Sequence, residues 1–165
     1  MAEMFKAKWN DKDIIAFLRT AEKKLGDLSP LMKAARVELK GIIDENFETE
    51  GKHTGDKWKE WSDEWKKQRM KMGEGSGKIL NLSGKLRKTI MAKSDRNTAT
   101  IYTNRDYAAI HNFGGNKKLK RNKTMPRREF MRINDTQVEY LLADLKISLE
   151  EMLMKAEANK KVFGK

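Results

Sequence analysis

The sequence predicts an α+β protein in which a small antiparallel β-sheet is flanked by amphipathic helices. Residues 88–104 alternate between apolar and polar as a β-hairpin does, whereas the segments before and after them repeat their apolar residues at helical spacing. The chain has 165 residues, enough for one domain with its own core and too few for two comfortable ones. We therefore expect residues 1–165 to form a single domain.

Residues 11–50 predict a hairpin of two helices. The first helix ends at Gly26, because glycine adopts the left-handed conformation that follows many helices. The second begins at Ser29, whose hydroxyl is the expected cap, with Pro30 at the first helical position, and it ends at Gly51. Each helix carries one apolar stripe, which is typical of a face packed on a core.

Residues 79–133 form the predicted central α+β motif. Its hairpin turns at Asp95, Arg96 and Asn97, three residues with strong turn preferences. Two strands alone are rarely stable, so we expect a third strand near residues 129–133.

The longest amphipathic segment of the chain lies at its C-terminal end. Asn134 or Asp135 is the expected cap of a helix over residues 135–157, whose leucines repeat at helical spacing. Beyond it, residues 158–165 lose the apolar stripe, and we expect this tail to fray.

Three tryptophans follow one another at spacings of three and four residues, at positions 58, 61 and 65. One helix through all three would place the indoles on one side, whereas Ser62 is alternatively the cap of a separate helix that starts at Asp63. Their side chains either cover the protein's own core or anchor a subunit interface, where tryptophan is enriched. The aromatic candidates for a subunit or partner interface are Trp58, Trp61, Trp65, Tyr107, Phe113 and Phe130.

Two short motifs resemble a known family. Residues 82–90 read LSGKLRKTI and residues 107–115 read YAAIHNFGG, and a basic loop ending in Arg-Glu-Phe-Met follows. This arrangement is similar to the phage virion morphogenesis family, the tail completion proteins of Mu-like phages, over roughly residues 47–131. Glu129 stands where that family has proline, which removes the rigidity that proline would give. The motif residues with expected structural roles are Ser83, Gly84, Leu86, Arg87, His111, Gly114 and Gly115, with Ser83 as a helix cap.

The net charge of +12 is concentrated in one loop, residues 116–128. Its basic residues are Lys117, Lys118, Lys120, Arg121, Lys123, Arg127 and Arg128. This loop has three interpretations: an ordinary solvated loop, a contact to an acidic neighbouring protein, or a contact to DNA phosphates.

The residues indicate no catalytic, metal or cofactor site. The chain contains no cysteine and only two histidines, His53 and His111, and it shows no serine nucleophile motif or paired carboxylates. We expect His111 to hold the short aromatic turn. No apolar run approaches the length of roughly 20 residues that spans a bilayer, so no membrane partner is expected.

The resemblance implies a non-enzymatic structural protein of a tailed phage that acts in tail completion or head-tail joining at the neck. By analogy with neck components it implies a ring of copies, a hexamer on the tail axis. Its expected partners are neighbouring neck, connector or tail-tube proteins, with a passing contact to genomic DNA. The protein would be made in the host cytoplasm and reside in the virion. The alternative is a basic protein that binds nucleic acid without sequence specificity.

Overall fold

The computed structural model describes residues 5–6, 12–73, 75, 77–115 and 124–163, and side chains from residue 12 to residue 159 within those ranges. The described residues combine helices with a small antiparallel sheet, which confirms the α+β class. The helices are α1 (Lys12–Leu25), α2 (Ser29–Thr49), α3 (Asp63–Lys71), α4 (Lys85–Lys88), α5 (Ala108–Phe113) and α6 (Asp135–Phe163), with a turn of 3-10 helix at Lys52–Thr54. The strands are β1 (Phe5–Lys6), β2 (Met91–Ser94) and β3 (Ala99–Thr103).

Packing divides the chain into two compact units. The first unit contains residues 40–91 and 102–133 together with the N-terminal residues 1–6, and the second contains residues 7–39, 92–101 and 134–165. The prediction of a single domain stays a prediction.

Two helix starts in the second unit are fixed by side-chain caps. The Asp27 carboxylate accepts hydrogen bonds from the Ser29 N–H (3.0 Å) and the Ser29 hydroxyl (2.8 Å), so the predicted cap by Ser29 is wrong. An aspartate carboxylate accepts hydrogen bonds from the first turn of a helix as readily as a serine hydroxyl does, and Asp27 lies two residues before Ser29. At α6 the predicted cap by Asn134 is confirmed in reciprocal form, since Asn134 and Gln137 each accept from the other's backbone N–H (2.8 and 3.0 Å).

Helix α6 is longer than the sequence pattern predicts. It continues to Phe163, six residues past the expected end, so the sequence pattern placed the end of this helix too early. Alanine, glutamate and lysine are strong helix formers and need no apolar stripe to continue a helix until glycine occurs at position 164.

The β-hairpin follows the prediction. Strands β2 and β3 lie at residues 91–94 and 99–103, and the Asp95 carboxylate accepts from the N–H groups of Asn97 (2.9 Å) and Thr98 (2.8 Å) across the turn. Ile101 and Thr103 are buried on the same face of β3. The alternation of this strand therefore corresponds to one buried face.

The third strand of the sheet is not the predicted one. The sheet order is β1-β3-β2, with Phe5 opposite Thr103 and Lys6 opposite Tyr102 in antiparallel register. Residues 129–133, predicted as a strand, instead form a turn. The reason lies in their hydrogen bonds, because side chains satisfy the backbone groups that a sheet ladder would otherwise pair.

Residues 128–132, which we call the core segment, belong to the first unit. The buried Asn46 amide donates to the carbonyls of Phe130 (3.2 Å) and Arg132 (2.7 Å), while the Asn112 side-chain oxygen accepts from the Met131 N–H (3.0 Å). The Phe130 ring is fully buried, 5.4 Å from the Phe47 ring between centroids. Helix α2, helix α5 and the core segment are thereby held together by two asparagines.

Replacing Asn46 with alanine should lower the free energy of unfolding by about 3 kcal/mol, because two buried carbonyls lose their donor. Urea unfolding at neutral pH measures this difference. Gln68→Ala, on the exposed side of α3, is the control and should stay within about 0.5 kcal/mol of wild type. Equal stability of the two variants would contradict the role given to Asn46.

Candidate docking groove

The tryptophan region contains a loop followed by a helix. The Ser62 hydroxyl accepts from the Trp65 N–H (3.3 Å) and caps α3, which confirms the second of the two predicted arrangements. Trp58 lies in the preceding loop, where it is 4% exposed and packs edge-on against Phe47, 5.5 Å away between ring centroids. The left-handed Gly51 makes this possible, because a Cβ at that position would lie 2.4 Å from the Trp58 ring.

The interface candidates separate into two groups. Trp58 and Phe130 belong to the core, so their prediction as surface contacts is wrong, because both rings pack on Phe47. Trp61, Trp65 and Tyr107 are half-buried, and Phe113 is 58% exposed. Partly covered aromatic rings of this kind are available to a partner.

The LSGKLRKTI motif forms α4 and connects it to α2. Gly84 takes the N-cap position in the left-handed region (φ 66°), and no side chain caps the helix, so the predicted cap by Ser83 is wrong. Leu86 is buried, while Arg87 donates to Asp44 (3.1 Å) and pairs with Glu48. Lys78 pairs with the same Glu48 carboxylate. The motif's arginine therefore joins α4 to two successive turns of α2.

The YAAIHNFGG motif ends in two glycines that the backbone requires. Gly114 has φ 69° and ψ −167°, a region that is essentially restricted to glycine, and a Cβ there would lie 2.8 Å from the Arg127 nitrogen. Gly115 exchanges both backbone hydrogen bonds with Met125 (3.0 and 2.9 Å). The two glycines thus bring the ends of the basic loop together.

The motif's histidine contributes its backbone carbonyl and its ring to this arrangement. The His111 carbonyl accepts from the Arg128 N–H (2.9 Å), and its ring meets the Tyr107 ring edge-on at 5.8 Å between centroids. The backbone hydrogen bond thereby holds His111 against Arg128, the first residue of the core segment.

An open groove of about 1020 Å³ lies on the first unit between these motifs. We call it the aromatic groove. Its apolar lining includes Trp61, Trp65, Leu82, Tyr107, Met125 and Pro126. The Arg69 guanidinium stacks 4.1 Å from the centroid of the Trp61 ring and holds that indole in place. Sequence reasoning missed this arginine, since nothing in the local pattern of α3 marks it as buried.

Arg128 also lines the aromatic groove, although its side chain was predicted as a basic-loop contact. It is only 6% exposed and donates to the carbonyls of Lys59 (2.8 Å) and Glu60 (3.2 Å). Burial lowers the pKa of this guanidinium, and no carboxylate among the described residues pairs with it. Arg128 therefore places a buried positive charge at an apolar surface, and its role as a contact stays a prediction.

The other basic-loop candidates have mixed positions. Lys117, Lys118, Lys120, Arg121 and Lys123 lie outside the described residues. Arg127 pairs with Glu129, whose carboxylate also lies 3.7 Å from Arg132. Glu129, the residue at the family's proline position, therefore makes ion pairs on both sides where proline would restrict the backbone.

The described part of the chain contains no cluster of three or more histidine, cysteine or acidic side chains that could hold a metal ion. Within the same residues, none of the helices is long and apolar enough to cross a membrane.

Comparison with known proteins gives the family. Residues 9–150 match the phage virion morphogenesis family, which covers most of the chain and both motifs. The protein belongs to the phage virion morphogenesis family. The resemblance seen in the two motifs is therefore confirmed, and the chain has a structural or assembly role in phage morphogenesis.

Two curated proteins are similar to the chain. The Mu-like prophage FluMu G protein 2 of Haemophilus influenzae is 26% identical over 136 residues, which cover 82% of this chain and 88% of that protein. The putative capsid assembly protein G of Escherichia phage Mu is 36% identical over 84 residues, 50% of this chain and 54% of that protein. No solved structure matches the chain.

The ion pairs of the first motif predict how stability depends on pH. Hydrogen bonds from Lys78 and Arg87 lower the pKa of Glu48 from 4.5 to about 2. A lowered folded-state pKa means that this contribution to stability is complete above the unfolded pKa and is lost as the pH falls from about 4.5 toward 2.

Glu48→Gln should therefore be less stable than wild type at about pH 6, and the difference should shrink by about pH 3. Urea unfolding of both proteins at the two pH values measures it. Glu139→Gln, at an exposed position on α6, should show no such convergence. A difference that stays constant with pH would contradict the assignment.

Proposed function

We propose that this protein acts in tail completion or head-tail joining at the neck of a tailed phage particle, as a ring of copies on the tail axis. A hexamer is expected by analogy with neck components that match the tail's symmetry. The proposal rests on the family assignment over residues 9–150, and the aromatic groove is the observation on the molecule that best supports it.

The groove has the composition of a protein-docking surface. Tryptophan, tyrosine and arginine are enriched among the residues that dominate protein interfaces, and Trp61, Trp65, Tyr107 and Arg128 all line it. A partner that covers these rings removes apolar surface from water, which is the main driving force of association. Assembly on such a surface changes no covalent bond.

The basic loop is the second contact in this proposal. The Gly115–Met125 pairing places both ends of the loop at the aromatic groove, since Met125 lines it. A neighbouring connector or tail-tube protein with an acidic surface would meet the groove and the loop together.

The rival function, sequence-independent nucleic-acid binding, is favoured by the net charge of +12. A neck channel through which DNA slides would be hindered by strong phosphate contacts, because each contact releases about one counterion and the effect multiplies around a ring. Micromolar or tighter binding to duplex DNA near physiological salt, with a steep salt dependence, would support the rival.

Changing Lys117, Lys118, Lys120 and Arg121 to glutamine should leave unjoined heads and tails in cells infected with the variant phage. At about 0.5 kcal/mol for each charge removed, docking should weaken by roughly thirtyfold. Electron microscopy of lysates and the infectious titre measure the result.

The matched control removes the same number of positive charges from exposed positions on helices α1 and α2. Its four changes to glutamine are at Lys12, Lys23, Lys24 and Lys33. Normal joining by this control, with failure of the loop variant, is expected. If the loop variant and the control both join heads to tails normally, the loop is only solvated surface.

A further inference from the structure

Helix α6 carries a second apolar row on the side that faces solvent. Tyr140, Ile147 and Met154 are 63%, 56% and 68% exposed. They are seven residues apart, which is two helical turns, so they lie in line along the helix. The buried row on the other side of the helix is formed by Leu141, Leu145 and Leu149.

Carboxylates flank this exposed row on both sides. At about 100° per residue, Asp144, Glu150 and Glu151 lie within about 60° of Ile147 around the helix, and between residues 140 and 154 no lysine or arginine shares that sector. All three are exposed, and in the described part of the chain none of them forms an ion pair. In a protein with a net charge of +12, this face combines apolar and acidic character.

The aromatic groove is the chemical complement of that face. Its lining includes aromatic and apolar side chains, the buried Arg128, which pairs with no carboxylate among the described residues, and the basic side chains of Lys59, Arg69 and Lys85. Three acidic residues, Glu60, Asp63 and Glu64, also line the groove. Lys57 (3.4 Å) and Lys66 (3.2 Å) pair with Glu60, while Asp63 and Glu64 lie in the first turn of α3, where the helix dipole favours negative charge. A ligand that brings apolar side chains and carboxylates would therefore bury its rings and satisfy the arginine.

We propose that the exposed face of α6 from one copy docks on the aromatic groove of the next copy. This inference rests on the proposed function and specifies the subunit contact of the ring. Residues 140–154 span about 21 Å along the helix, a length suited to an extended groove contact. Because face and groove are different surfaces of the chain, each copy offers both, and the contact continues from copy to copy until a ring closes.

Cysteine cross-linking in assembled particles tests this contact directly, because the chain has no cysteine of its own. The variant Ser83→Cys/Ile147→Cys places one thiol at the groove and one on the α6 face, at residues that are both exposed. A thiol-specific cross-linker added to purified particles should give a ladder that extends beyond the dimer. A contact between identical surfaces would stop at the dimer.

The control is Ser83→Cys/Val37→Cys. Val37 is 60% exposed on α2, so its thiol is as accessible as one at position 147. An equal ladder from the control, no ladder from the test variant, or a cross-link from Cys at position 147 to a different phage protein would overturn the inference. If the protein is present in particles without a ladder, the inference fails alone, whereas its absence from particles defeats the proposed function.

A charge exchange adds a second arm to this experiment. One variant changes Asp144, Glu150 and Glu151 to lysine, and the other changes Lys59 and Lys85 to glutamate. In phage that lack the native gene, each variant supplied alone should lower the titre roughly tenfold or more, because like charges then meet at every contact. Both supplied together should restore it, since an alternating ring pairs opposite charges throughout. Failure of the mixture to restore the titre would contradict the head-to-tail contact.

Discussion

The hydrogen bonding of the core segment, residues 128–132, is the constraint on which the rest of the first unit depends. The segment is buried but forms neither helix nor strand, so its backbone groups need partners from elsewhere. Asn46 and Asn112 supply them from two different helices. With the segment fixed, the Phe130 ring packs on Phe47. Trp58, in the loop before α3, packs on the same Phe47 ring.

The aromatic groove is a consequence of this arrangement. Arg128 is the first residue of the core segment, and its side chain reaches the carbonyls of Lys59 and Glu60, which positions the loop that leads into α3. Its backbone N–H fixes the turn that carries Tyr107 and His111. One arginine therefore sets two walls of the groove and leaves a positive charge between them. The cost of burying that charge is a reason to expect an acidic partner.

Local signals in the sequence were enough for most of the fold. Gly26 ended a helix as expected, the hairpin turn formed at Asp95, and Asn134 began α6. Residues 129–133 have an apolar pattern that fits a strand, whereas the donor that decides their conformation, Asn46, lies more than 80 residues earlier in the chain. For the same reason the pattern could not separate Trp58, a core residue, from Trp61 and Trp65. The exposed row of α6 does have a signal in the sequence, the seven-residue spacing of Tyr140, Ile147 and Met154.

In the proposed assembly, copies of this chain form a closed ring between head and tail. Cryo-electron microscopy of intact virions, with the chain located in the density, tests it most directly. We expect a ring of density on the tail axis at the neck, with α6 of each copy against the α3 to α5 region of its neighbour. Mature infectious particles that lack the protein altogether would contradict the claim.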